Sequence, residues 1–268
     1  MNLPPLQGNL DQSGFFIYAA ADADYFDTYG IPLINSVTRN TGHGVHMHIY
    51  NPRPDQIELC QRTDRVSVSW ETFDHTLFTS AVNFWSRTDL SEPYVSRRNK
   101  MLGIKVVDRT LPLNANLEIW LRKTYYACVR FIRLAQLLDQ ARPFLAIDVD
   151  GLVRKPFDFE FDNGKDFYLH AKEKGGHLAG ALLGTGQPAC LHFVKQLAND
   201  IQVQFEQDNI YWFLDQHCLD NLVNRYNKGL LPMTYIDWHM DPSSAIWSAK
   251  GKRKYINAFL QELSEYKS

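Results

Sequence analysis

Asp148 and Asp150 stand two residues apart at the end of the run FLAIDVD, and their type and spacing suit the binding of a hard divalent cation. FLAID (Phe144 to Asp148) reads as a buried strand whose last residue, Asp148, emerges at the carboxyl edge of the sheet, where open α/β folds hold their ligands. Residues i and i+2 of an extended chain point to the same side, so Asp150 can face the same cation. An oxygen-only pair of this kind suits Mg²⁺ or Mn²⁺ and leaves the remaining positions for diphosphate oxygens and water. Taken alone, the same residues also serve as strand and turn caps before Gly151. The histidines of HGVHMH are a poorer metal set. His46 and His48 share a strand face with His43 nearby, but no Cys, Asp or Glu joins them at ligand spacing, and they read as ordinary strand histidines.

The elements that must position the aspartates follow from the hydrophobic pattern. Phe15 to Ala21 reads as a strand, DADYFD as a loop, and the chain then enters a helix through Asn35. His46 to Tyr50 and Arg65 to Trp70 are further strands. Asp74 to Ala115 is irregular except for a helix around Ser96 to Leu102, and apolar residues at helical spacing make one long helix from Leu117 to Leu138, ending before Arg142-Pro143. Downstream come strands at Phe167 to Ala171 and Ala179 to Gly184, helices at Pro188 to Gln207 and Leu214 to Tyr226, and a strand at Met233 to Ile236. Pro188 suits a first helical turn, and Asp215 a helix start. The alternation of strand and helix predicts an α/β layered fold with a mainly parallel central sheet.

The whole chain limits the partners. Its 268 residues, 45% apolar, suffice for one large domain with a two-faced core. Lys plus Arg number 28 against 30 Asp plus Glu, and a net charge of −2 gives no general attraction to nucleic acid or an anionic membrane. Cys60, Cys128, Cys190 and Cys218 are scattered without a CxxC pair, which fits neither a zinc knuckle nor a disulfide framework and favours a reducing, cytoplasmic setting. The polar start MNLPPLQGNLDQSG and the lack of a run of about 18 apolar residues predict no transmembrane segment.

AIDVDGLVRKPFD (Ala146 to Asp158) resembles the DxD segment of the GT-A fold glycosyltransferases, loosely the glycogenin-like and galactosyltransferase-like members. Four further segments carry the same resemblance. TYYACVRFIRLAQLL (Thr124 to Leu138) is similar to the helix before the DxD strand, which implies that Arg130 approaches the donor diphosphate; on its own it is an amphipathic helix with Arg130 and Arg133 at its edge. HLAGALLGTG (His177 to Gly186) resembles the strand beneath the donor sugar, with Ala179 and Gly180 in place and Leu178 where the family has Asn. LDQHCLDNLV (Leu214 to Val223) resembles the segment beside the anomeric carbon, which implies site roles for Asp215 and Gln216; alone it is a capping Asp with an exposed Gln. SAKGKRK (Ser248 to Lys254) matches a His-x-x-Gly-x-x-Lys signature at Gly251 and Lys254, with Ser248 at the metal-binding His. The third ligand is then missing or borrowed from His239, and Lys250, Lys252, Arg253 and Lys254 form a cationic loop able to neutralise pyrophosphate, or else a solvated surface. The family's nucleoside site falls on Tyr18, Ala19, Ala20 and the ADADYF loop with Asp22 and Asp24, and Val149 lies between the metal aspartates.

The resemblance implies one GT-A domain over 1–268, with a nucleotide-binding half of about 1–150 ending in the DxD and an acceptor-side half of about 151–268 carrying a C-terminal lid. It implies a Mn²⁺- or Mg²⁺-dependent hexosyl transfer from a UDP-sugar or similar donor to a glycan or small-molecule acceptor. Asp215 is then a base in an inverting reaction, or shields the reacting face with Gln216 in a retaining one. Two rivals remain. A haloacid-dehalogenase-like phosphatase would use Asp148 as nucleophile and Asp150 as acid, but its motif continues with Thr, where Leu152 stands, and needs a later acidic pair. A sugar-nucleotide-binding module without turnover would account for the absent His and Asn.

Overall fold

The structure, a computed structural model, describes residues 1–86, 113–159, 164–171, 176–249 and 251–267. The helix expected at Ser96 to Leu102 and the side chain of Lys250 lie outside the described residues.

Among the described residues an eight-stranded sheet runs in the order β1-β4-β3-β2-β5-β8-β7-β9. Its strands are β1 (Gln7–Gly8), β2 (Phe16–Asp22), β3 (Gly44–Tyr50), β4 (Val66–Glu71), β5 (Pro143–Ile147), β7 (Phe167–Ala171), β8 (His177–Thr185) and β9 (Lys228–Leu230). The pairings β2·β3, β3·β4, β2·β5 and β7·β9 are parallel, whereas β1·β4, β5·β8 and β7·β8 are antiparallel. The sheet is therefore mixed. β8 lies between β5 and β7, so the strand expected at Ala179 to Gly184 is buried in mid-sheet. There Gly184 meets the face of Phe144, and a side chain at 184 would strike that ring.

Helices cover both faces, which is why all of β3 is buried. Val45, Met47 and Ile49 face one apolar layer, while Tyr50 joins Phe16, Tyr18 and the long helix Leu113–Leu137 in the other. The sequence reading missed the helices Pro54–Arg62 and Thr79–Trp85, the second within the stretch expected to be irregular. The helix expected at Leu214 to Tyr226 is shorter, Leu214–Leu222, and Phe213 rather than Asp215 caps it. A three-stranded sheet joins β10 (Ile236–Asp237) and β11 (Ile246–Ser248) to β6 (Gly151–Val153). Register pairs Ser248 with Gly151, so the chain's last third is laid against the residues that follow Asp150.

His46 and His48 are not ligands but parts of a buried polar chain. His46 bonds Ser67 and Ser69, each at 2.8 Å, and His48 bonds Ser69 at 2.9 Å. Glu71, fully buried, accepts from Tyr125 and from Arg133 Nε, both at 2.5 Å, and Arg133 also donates to the Pro4 carbonyl at 2.7 Å. Burial alone would raise the Glu71 carboxyl, but the imidazole of His48, 3.8 Å away, and the Arg133 charge hold it below its usual range. Arg133 is 1% exposed, so it does not lie at the helix edge.

Because a buried charge left alone is costly, Arg133→Met should destabilise the chain by about 3–5 kcal/mol in urea titrations, and adding Glu71→Leu should recover part of that loss. Burial, with the nearby His48, holds the His46 imidazole down to about 3 from an ordinary 6.5. The unfolded chain thus takes up a proton that the folded chain refuses. Stability should be complete above pH 6.5 and decline as pH falls toward 3, and His46→Asn should flatten that slope in melts across this range.

Candidate active site

β5 ends at Ile147, and the next three residues turn at the sheet's carboxyl edge. The Asp148 amide donates to the Gly180 carbonyl at 3.1 Å, and the Gly151 amide closes the turn on the Asp148 carbonyl at 3.1 Å. Asp148 and Asp150 both line a cleft of about 740 Å³. The side chain of Asp148 is 28% exposed, whereas Asp150 is only 6% exposed as a residue. Burial first, and the Asp148 charge second, push the Asp150 carboxyl up to about 6 against the opposing pull of Lys254.

Arg130 ties the site together. One guanidinium nitrogen bonds Asp148, and another donates to the Ala179 carbonyl at 2.9 Å and lies 3.6 Å from Asp215. Burial works against the guanidinium charge, but Asp148 and Asp215 more than offset it and hold the proton firmly. Gly180 is required by this approach, since a Cβ there would come within 2.7 Å of the Asp148 carboxylate. Asp215 and Gln216 are each 7% exposed, so neither is a surface residue. Gln216 donates its amide to the His177 carbonyl at 2.9 Å. Their helix starts from Phe213 in the left-handed region at φ 68°, a conformation strained for a bulky side chain.

Lys254 arrives from the C-terminal side on the helical turn Gly251–Tyr255. Its ammonium sits 2.5 Å from Asp150 Oδ2 and donates to the Tyr25 hydroxyl at 2.8 Å. The rings of Tyr25 and Tyr29 lie 4.6 and 5.3 Å away. Gly251 takes φ +65°, which suits glycine and opens the turn.

Several expected residues lie elsewhere. Tyr18 is 1% exposed, stacked on His46 and bonded through its hydroxyl to the Arg130 carbonyl at 2.8 Å, so its ring supports the helix and does not face the cleft. Ala19 is in the core, and the cleft begins one residue later at Ala20. Val149 packs into the core while its position borders the cleft. Asp24 is exposed and does not line the cleft; Asp22 does, and its carboxylate caps the following turn through the Tyr25 amide at 2.8 Å. His239 is exposed, and its amide bonds Asp237. Among the described residues no group of three His, Cys, Asp or Glu side chains converges, so the borrowed third ligand is not found. The cleft walls that sequence reasoning missed are Tyr25, Ile119, Tyr126 and Trp212. Of these, Tyr25 and Tyr126 lay within segments already singled out.

The donor set still fits a hard cation held by two protein ligands. Both carboxylates supply oxygen, and among the described residues the buried Asp150 Oδ1 has no hydrogen-bond partner. Ser248, 6% exposed, borders a small cavity shared with Asp148, Gly180 and Leu178.

No family model matches the sequence, and no curated protein matches it. Solved structures do. The chain aligns with the galactosyltransferase LgtC, solved with donor and acceptor sugar analogues, at a TM-score of 0.54 and 12% identity, covering 93% of this chain and 95% of that one. The bifunctional glycosyltransferase WbbM aligns at a TM-score of 0.53 and 12% identity over 95% of this chain and 50% of its own. The glycosyltransferase GlyE of Streptococcus pneumoniae TIGR4 gives a TM-score of 0.53 and 12% identity, with 95% and 61% covered. With an α/β sheet in this order and these neighbours over nearly its whole length, the chain has the GT-A fold of these glycosyltransferases.

Proposed function

We propose that the chain is a glycosyltransferase that takes a hexosyl group from a nucleotide-diphosphate sugar, with a UDP-sugar the expected donor, and passes it to a glycan or small-molecule acceptor. One observation carries the reading. Asp148, Asp150 and Arg130 line a cleft at the sheet's carboxyl edge, large enough for a nucleotide and walled by Ala20, Tyr25 and Tyr126, and Lys254 is paired with its Asp150. Asp148 and Asp150 would hold Mn²⁺ or Mg²⁺, which when bound supplies charge compensation for a departing diphosphate.

The remaining work falls to the chain. The nucleoside would lie on the apolar wall beside Tyr25, with Asp22 as acceptor. Arg130 fixes the Asp148 carboxylate and adds positive charge beside the diphosphate. Asp215 is already in an ion pair with Arg130, so we read it as an anion that steadies positive charge on the sugar carbon, and not as a base awaiting a proton. Gln216 donates its amide to the His177 carbonyl, and in this reading its carbonyl oxygen would serve the same carbon. These roles favour retention of configuration. The phosphatase alternative needs an uncommitted nucleophile, and Asp148 is bonded to Arg130. The four free, buried cysteines accord with a reducing cytosol. Among the described residues no helix is long and apolar enough to cross a membrane.

Wild-type chain with Mn²⁺ and a UDP-sugar at about 100 times Kd should gain roughly 2.7 kcal/mol in stability, read as a rise in melting temperature, and Asp148→Asn or Asp150→Asn should lose most of that gain. An undiminished gain in both variants would overturn the site. Asp215→Asn should keep donor binding while slowing donor hydrolysis by about 10²-fold or more, as expected when a preorganised charge is removed. Donor binding without hydrolysis or transfer in the wild type would favour the binding-module reading.

A further inference from the structure

Asp150 Oδ2 already has a partner, and that partner is the chain's own ammonium. Lys254 is seated as a ligand is seated. Its nitrogen lies 2.5 Å from Asp150 Oδ2 and 2.8 Å from the Tyr25 hydroxyl, with the Tyr25 and Tyr29 rings around it. The side chains of Lys254 and Asp150 are 13% and 9% exposed, so bulk solvent barely reaches the pair. The backbone before and after it is anchored. The Ala249 amide donates to the Asp150 carbonyl at 3.0 Å, and the helix Asn257–Glu265 buries Phe259 and Leu263 against Leu152 and Trp247. Arg154 locks the same corner over the Trp247 ring at 3.6 Å and on Glu262 at 3.2 Å. The turn carrying Lys254 is thus a short bridge between fixed supports, and its lysine reaches the carboxylate that a cation would need.

A divalent ion and an ammonium cannot both sit on one buried carboxylate without strong repulsion. We propose that Lys254 is a resident counter-cation, whose ammonium occupies the divalent position on Asp150 in the ligand-free chain and is expelled when the ion binds. This rests on the reading of Asp148 and Asp150 as a metal pair. The exchange has two consequences. It keeps a buried anion neutralised when no ion is present, and it releases Tyr25 and the 251–255 turn together, so that arrival of the ion opens the nucleoside wall and frees a cation for the diphosphate. Lys254 is therefore a competitor of the ion first and a partner of the substrate afterwards.

The test uses the full chain and Mn²⁺ alone, with free Mn²⁺ followed by electron paramagnetic resonance. Lys254→Met keeps the apolar stem and removes the charge, and it should bind Mn²⁺ about tenfold tighter or more than wild type. Lys254→Gln serves as a second neutral replacement should the first fold poorly, and Lys254→Arg should stay near the wild-type affinity. In wild type, Mn²⁺ should also speed tryptic cleavage after Arg253 severalfold. If the neutral variants bind Mn²⁺ no more tightly than wild type while Asp150→Asn abolishes binding, the metal pair stands and the counter-cation idea is overturned. If Asp150→Asn binds Mn²⁺ like wild type, the metal reading fails and takes this inference with it.

Discussion

The guanidinium of Arg130 is the contact on which the site depends. It reaches Asp148 at the end of one strand, the Ala179 carbonyl on another, and Asp215 at the start of a helix, and so joins three segments that share no local sequence. Each of those partners is buried or half-buried, which makes the arrangement all or none: an anion left without its guanidinium would be expelled toward water. Gly180 follows from the same contact, because the carboxylate that Arg130 holds fills the space where a side chain would project.

A second charge balance lies beside the first. Asp150 is more buried than Asp148 and leans on Lys254, so the ligand-free site carries its aspartates as two separate ion pairs, one facing the long helix and one facing the C-terminal turn. The two aspartates are neighbours in sequence but are served by a mid-chain helix and a C-terminal turn. Arg130 lines the cleft itself, whereas Lys254 is tied to it through Asp150 and Tyr25.

Much of this was legible in the residues. β2, β3, β4, β7 and β8 announce themselves as apolar runs, and the long helix by its spacing, because a sheet covered on both faces demands such sequences. Of the small sheet only β10 was approached, by a strand expected at Met233 to Ile236 where β10 is Ile236–Asp237, since β6, β10 and β11 hold only two or three residues each, too few for a period to emerge. Asp148 and Asp150 line one cleft, Gly180 and Lys254 lie against their carboxylates, and Asp215 is reached through Arg130, while Gln216 bonds the His177 carbonyl. Of the residues expected around a nucleoside, Tyr18 lies two residues short of Ala20, where the cleft begins, with its hydroxyl on the Arg130 carbonyl, while Asp22 and Tyr25 of the ADADYF loop line the cleft. The pairing of Arg130 with Asp215 is a long-range contact that no spacing along the chain reveals.

The antiparallel insertion of β8 between β5 and β7 has a bearing on how the chain folds. The first half can pair β1 through β4 with β2 and β5 from segments made early, but β5 keeps an open edge until β8 is synthesised, and β7 then waits on β9. Such non-local pairing is slow to form. The contacts of Arg130 with Asp148, the Ala179 carbonyl and Asp215 therefore close only once the chain has been made through Asp215.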